Sequence, residues 1–121
     1  MTGVERRKHA RIPVSVPVSC VSIDGDGAQL NFNMGIVKDV SQSGMALEVI
    51  GEVRSDRMLL AFVDVDNHTM EINGRVVHSL ATASGATCVG VALLGTPAEN
   101  IDFVKHLVRL HHYTKKLSAT T

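Results

Sequence analysis

The chain has 121 residues, 45% of them apolar, which is enough for one core and too little for two. Three Phe, one Tyr and no Trp leave that core to Val, Leu, Ile, Met and Ala, a composition that suits strands. Twelve basic and twelve acidic side chains cancel, so no overall field holds long nucleic acid or an anionic membrane, and any electrostatic recognition is local.

The first eleven residues, MTGVERRKHAR, concentrate Arg6, Arg7, Lys8, His9 and Arg11 against Glu5 alone. A solvated, disordered basic terminus has this composition, and so does an arm that grips an anion. Arginine suits phosphate and guanine because its planar fork donates two parallel hydrogen bonds and its face stacks on rings. No apolar segment follows the positive charges, and no run approaches the roughly 18 apolar residues of a membrane span. Cys20 and Cys88 sit in apolar runs with neither metal-ligand spacing nor disulfide-scaffold density. A reduced, cytoplasmic setting without membrane insertion is expected.

From Ile12 to Cys20 apolar and polar residues alternate, with Ile12, Val14, Val16, Val18 and Cys20 on one face and Pro13, Ser15, Pro17 and Ser19 on the other. This predicts a half-buried strand whose prolines require an edge, a bulge or a strand start. DGDGAQ reads as a turn. Leu30, Phe32, Met34 and Ile36 repeat the period of two and predict a second strand ending near Asp39. DVSQSG follows at 39–44, where Asp39 and Ser41 suit bonds to nearby backbone and Gly44 suits a positive φ. Further strands are predicted at Met45 to Ile50, Met58 to Val63, Thr69 to about Ala83 and Thr87 to Leu94.

Thr96-Pro97-Ala98-Glu99 carries an N-cap, a proline at N1 and a glutamate at N3, the signature of a capping box. A helix over about 96–114 is expected, with Ile101, Val104, Leu107, Val108 and His111 along its apolar side and a frayed tail KKLSATT. Six short strands followed by one helix predict an all-β fold, a six-stranded antiparallel barrel spanning 12–121 with a C-terminal α-helix and a flexible arm at 1–11.

RKHAR at 7–11 and DVSQSG at 39–44 together resemble the paired signature of the PilZ family, R-x-x-x-R followed after about one hairpin by D/N-x-S-x-x-G. Both halves at this spacing arise by chance in on the order of a few random chains per thousand, so the pair is far more specific than either part. The resemblance implies a six-stranded antiparallel barrel that binds cyclic di-GMP and presents a changed surface to a partner protein. It implies that Arg7 and Arg11 wrap the ligand and that Asp39, Ser41 and Gly44 form a guanine-binding turn. Arg6, just ahead of the motif, implies two intercalated ligand molecules per chain. Lys8 and Gly90 are further candidate contacts. His78 stands where several family members place a ligand-stacking tryptophan, but parity puts it on the face of Met70, Ile72 and Val76 and predicts a packed core histidine.

Other chemistry is not indicated. The six histidines lack zinc-ligand spacing, the DGDG and DVDN segments lack the downstream glutamate of a calcium loop, and no catalytic nucleophile or phosphate cradle is present. A non-enzymatic, monomeric receptor is expected. The alternatives are a barrel of this family that has lost nucleotide binding and works as an interaction adaptor, and a small nucleic-acid-binding barrel. The second is disfavoured by the shortage of base-stacking aromatics, and no DNA or RNA partner is expected.

Overall fold

The computed structural model describes residues 10–120. Along the chain run β1 (Ile12–Ile23), β2 (Gln29–Val40), β3 (Gly44–Ile50), β4 (Arg57–Val63), β5 (Thr69–Ala81), β6 (Ala86–Leu93) and α1 (Pro97–Thr120). The strands close into a barrel in the order β1-β2-β3-β6-β5-β4, and every neighbouring pair is antiparallel. Closure removes most of the exposed sheet edges that invite aggregation, leaving the first part of β1 paired on one side.

Alternation places the core. Val14, Val16, Val18 and Cys20 point inward from β1 and meet Val37, Leu47, Val49, Leu60, Val89 and Val91. Burial pushes the Cys20 thiol up to about 11. Both prolines of β1 lie on its outer side, where β1 pairs β4 only from Ser19 to Ile23. Pro13 and Pro17 therefore fall where the strand has a neighbour on one side alone, which is where missing amide donors are tolerated.

On β2 the alternating apolar set faces the opposite way. Leu30, Phe32 and Met34 are exposed, Phe32 at 60%, while Gly35, Val37 and Val40 face the interior. Period-two alternation finds a strand without saying which face is inside; register to the neighbours decides that. Short turns join the strands. Asp24 and Asp64 each accept amide hydrogens two and four residues ahead: Asp24 from Asp26 and Ala28, both at 2.9 Å, and Asp64 from Asp66 at 2.9 Å and His68 at 2.8 Å. These segments are the turns expected of DGDG and DVDN.

The capping box forms as expected: the Thr96 amide donates to Glu99 Oε1 at 2.8 Å and the Glu99 amide donates to Thr96 Oγ1 at 3.2 Å. Helix α1 is longer than expected, because the Lys115-Lys116-Leu117 stretch favours helix and nothing stops it before Thr120. Its buried side is Phe103, Val104 and Leu107; Ile101 is exposed instead. Phe103 meets Phe62 edge-on at 5.1 Å, which pins the helix to β4 and the core.

Just after β4 Asp64 is buried, and His106 Nε2 of α1 approaches its Oδ2 at 3.8 Å. The Asp64 carboxyl is held below the usual carboxylate range, first by the His68 amide, then by the Asp66 amide and the His68 and His106 rings, with burial opposing.

Candidate functional site

The strand registers bring the motif residues into one line. Asp39 of β2 lies opposite Ala46 of β3, Ala46 opposite Gly90 of β6, and Gly90 opposite His78 of β5. This row crosses four strands on the outside of the barrel. At its β2 end Arg11 Nε donates to Asp39 Oδ1 at 2.5 Å, and the guanidinium Nη2 lies against the same oxygen. Arg11, Asp39, Ala46, Val77, His78 and Gly90 line a groove of about 300 Å³.

His78 is exposed, not packed in the core as parity predicts. Between Val76 and His78 the β5–β6 register shifts, so Val77 is an extra residue that turns the rest of β5 over. The imidazole then lies over Gly90. A methyl at position 90 would fall where the ring's Cε1 and Nδ1 now stand, so glycine is what lets the ring sit flat against the strand. The groove accordingly has small residues, Ala46 and Gly90, for its floor and a polar side chain at either end.

The turn Ser41–Gly44 works differently from the expectation of a positive φ. Positive φ occurs at Gly27, Gly51 and Gly85 among the described glycines, and Gly44 is absent from that set. A methyl on Gly44 would stand 2.7 Å from the Val91 carbonyl oxygen, so close strand packing requires glycine here. Ser41 is buried, its amide donates to the Gly44 carbonyl at 2.8 Å, and its hydroxyl donates to the same oxygen at 3.3 Å. Both residues thus shape the turn that leads away from Asp39.

The structure therefore brings together Arg11, Asp39, His78 and Gly90, with Ser41 and Gly44 supporting them. Arg6, Arg7 and Lys8 lie outside the described residues. Ala46 and Val77 escape sequence reasoning: an alanine in a strand carries no chemical signal, and Val77 matters only because the register slips there.

The chain matches the PilZ domain family over residues 5–110, a span that includes both halves of the signature. The chain belongs to the PilZ family. Among solved structures, this PilZ barrel is similar to the "PilZ domain with c-di-GMP of YcgR from Escherichia coli" at 12% identity and a TM-score of 0.55, covering 96% of this chain and 99% of that one. It is also similar to "YcgR in complex with c-di-GMP from Escherichia coli" at 14% identity and a TM-score of 0.56, covering 95% of this chain and 50% of that one. At such identities the likeness is one of fold. No curated protein matches the chain. Among the described residues of this PilZ chain no helix is long and apolar enough to cross a membrane.

Proposed function

We propose that this PilZ protein is a cyclic di-GMP receptor that binds its ligand on the Asp39–Ala46–Gly90–His78 row. The single observation that carries the reading is the convergence of Arg11, Asp39, His78 and Gly90 on one groove from three separate strands and the segment before β1. The family match and the presence of cyclic di-GMP in the YcgR structures support it.

Each residue has a role that its chemistry fits. Asp39 accepts the N1 and N2 hydrogens of a guanine. Arg11 donates its fork to a guanine O6/N7 edge or a phosphate. The exposed His78 ring offers a stacking face once it swings off Gly90, and the uncovered glycine then lets the ligand approach the backbone. Without ligand, Arg11 and Asp39 satisfy one another. Both are about a third exposed, so that pair is worth under about 1 kcal/mol, and exchanging it for contacts to the ligand costs little.

Arg6 and Arg7 complete the clamp in this proposal, and two stacked ligands bind per chain, since four phosphodiester charges need more cation than Arg11 offers. Ordering of residues 1–11 on the ligand is the signal, read by an effector protein in the cytoplasm from motility, chemotaxis, pilus or exopolysaccharide machinery. Isothermal titration with cyclic di-GMP tests the reading, because it reports affinity and stoichiometry together. Binding by the wild type at two ligands per chain, lost in Arg11→Ala, is expected. No heat from a folded wild type overturns the reading and leaves an interaction adaptor.

A further inference from the structure

Of the five described arginines, Arg11, Arg54 and Arg109 each pair with a carboxylate: Asp39, Glu52 and Asp66. Arg57 and Arg75 have no ion-pair partner among the described residues, and they stand directly opposite one another on β4 and β5. Both are exposed, on the outer side of strands whose neighbours Met58 and Gly74 are buried. Like charges directly opposite across a strand pair are destabilising. Two unneutralised arginines in that arrangement make a site for an anion.

Their place in the sheet says which anion. Gly44 lies opposite Ala92, Ala92 opposite Arg75, and Arg75 opposite Arg57. This row adjoins the Asp39–Ala46–Gly90–His78 row, two residues and so ~7 Å away along β3 and β6, and three residues away along β5, where Val77 is the extra residue. Its floor is again small, Gly44 and Ala92. Arg11 is already neutralised by Asp39, so the groove's described residues hold no net cation for a dianionic dinucleotide. The adjoining row supplies two.

We infer that Arg75, backed by Arg57, is a phosphate-binding extension of the groove that takes a phosphodiester of the bound cyclic dinucleotide. This rests on the cyclic di-GMP reading and adds a contact outside the paired signature. Arg75 donates its fork to phosphate oxygens, and Arg57 supplies a second positive charge across the strand pair. Ligand binding relieves the repulsion that the unliganded barrel carries.

Titrations of cyclic di-GMP into wild type, Arg75→Gln, Arg57→Gln and Arg11→Ala, with melting curves of each protein alone, test this. Arg75→Gln is expected to weaken binding by roughly tenfold and Arg57→Gln by a smaller factor, while neither lowers the melting temperature of the unliganded protein. A merely structural role for Arg75 predicts the opposite pairing, a lower melting temperature with unchanged affinity, and would overturn the inference. Wild-type affinity in Arg75→Gln, alongside lost binding in Arg11→Ala, sinks the extension and leaves the groove reading intact. No binding by the wild type removes both.

Discussion

Gly90→Ala puts the groove floor to the test with one methyl. The added carbon falls where the His78 Cε1 and Nδ1 atoms lie, with Nε2 at 3.1 Å, so the imidazole has to leave. His78 is exposed and the clash is with the far end of its side chain, so the barrel yields at a cost of about 1 kcal/mol or less. The ligand cannot yield in this way. A methyl takes on the order of a tenth of a groove of 300 Å³, judged by a water's share of about 30 Å³. More importantly, it lifts a flat base off the strand. A gap of 0.5–1 Å forfeits about a quarter to a half of each contact. A stacked base contributes about 1–3 kcal/mol, so the loss is on the order of 1 kcal/mol, with the displaced ring adding to it. A tenfold or greater loss of affinity is expected by calorimetry, with a melting temperature within a few degrees of wild type. His78→Ala/Gly90→Ala separates the two causes: binding as weak as in Gly90→Ala assigns the loss to the floor, and recovery to the level of His78→Ala assigns it to the ring. Wild-type affinity in a folded Gly90→Ala protein would refute the placement of the ligand on this row.

The other expectations concern the site's support and the core. Arg11→Ala should melt within a few degrees of wild type, because a partly exposed ion pair contributes under about 1 kcal/mol; loss of folding in circular dichroism would show that Arg11 is structural. Phe103→Ala removes a side chain that is 1% exposed and packed edge-on against Phe62, at a cost of about 3–5 kcal/mol, or roughly 12–20 °C in melting temperature for a chain of this size. Asp64 gives the barrel an acid dependence. Its folded pKa is depressed from 3.8, so its contribution is present above that value and is lost as pH falls through the lower folded value. Melting temperatures from pH 6 to pH 2.5 should fall more steeply below about pH 4 in wild type than in Asp64→Asn; parallel curves would remove Asp64 from the account. Native Cys20, buried with its thiol at about 11, should resist iodoacetamide at pH 8 while half-buried Cys88 reacts, and both should react in urea.

Local patterns foresaw most of the fold. The period-two runs marked all six strands to within a few residues, and Thr96 with Glu99 marked the start of α1, because backbone alternation and capping depend on neighbours in sequence. The stop of α1 was less legible: Lys115 to Leu117 looks like a polar tail but is also good helix sequence. Phe103 was missed because Ile101 occupied its place in the assumed stripe, and only contact with Phe62 shows which side of the helix is inside.

The site divides along the same line. The spacing of Arg7 and Arg11 to Asp39, Ser41 and Gly44 was enough, by itself, to indicate the family, since that pattern is rare by chance. Tertiary structure alone decided the geometry. It set Phe32 outward, used Gly44 for close packing against Val91 where the turn chemistry suggested a positive φ, and turned His78 out of the core through one extra residue at Val77. It also aligned Arg75 with Arg57 on a row beside the groove. The physical reason is common to all of these. Which residues stand opposite one another, and on which face, is a property of register between strands distant in sequence, and a single bulge reverses every parity count that follows it.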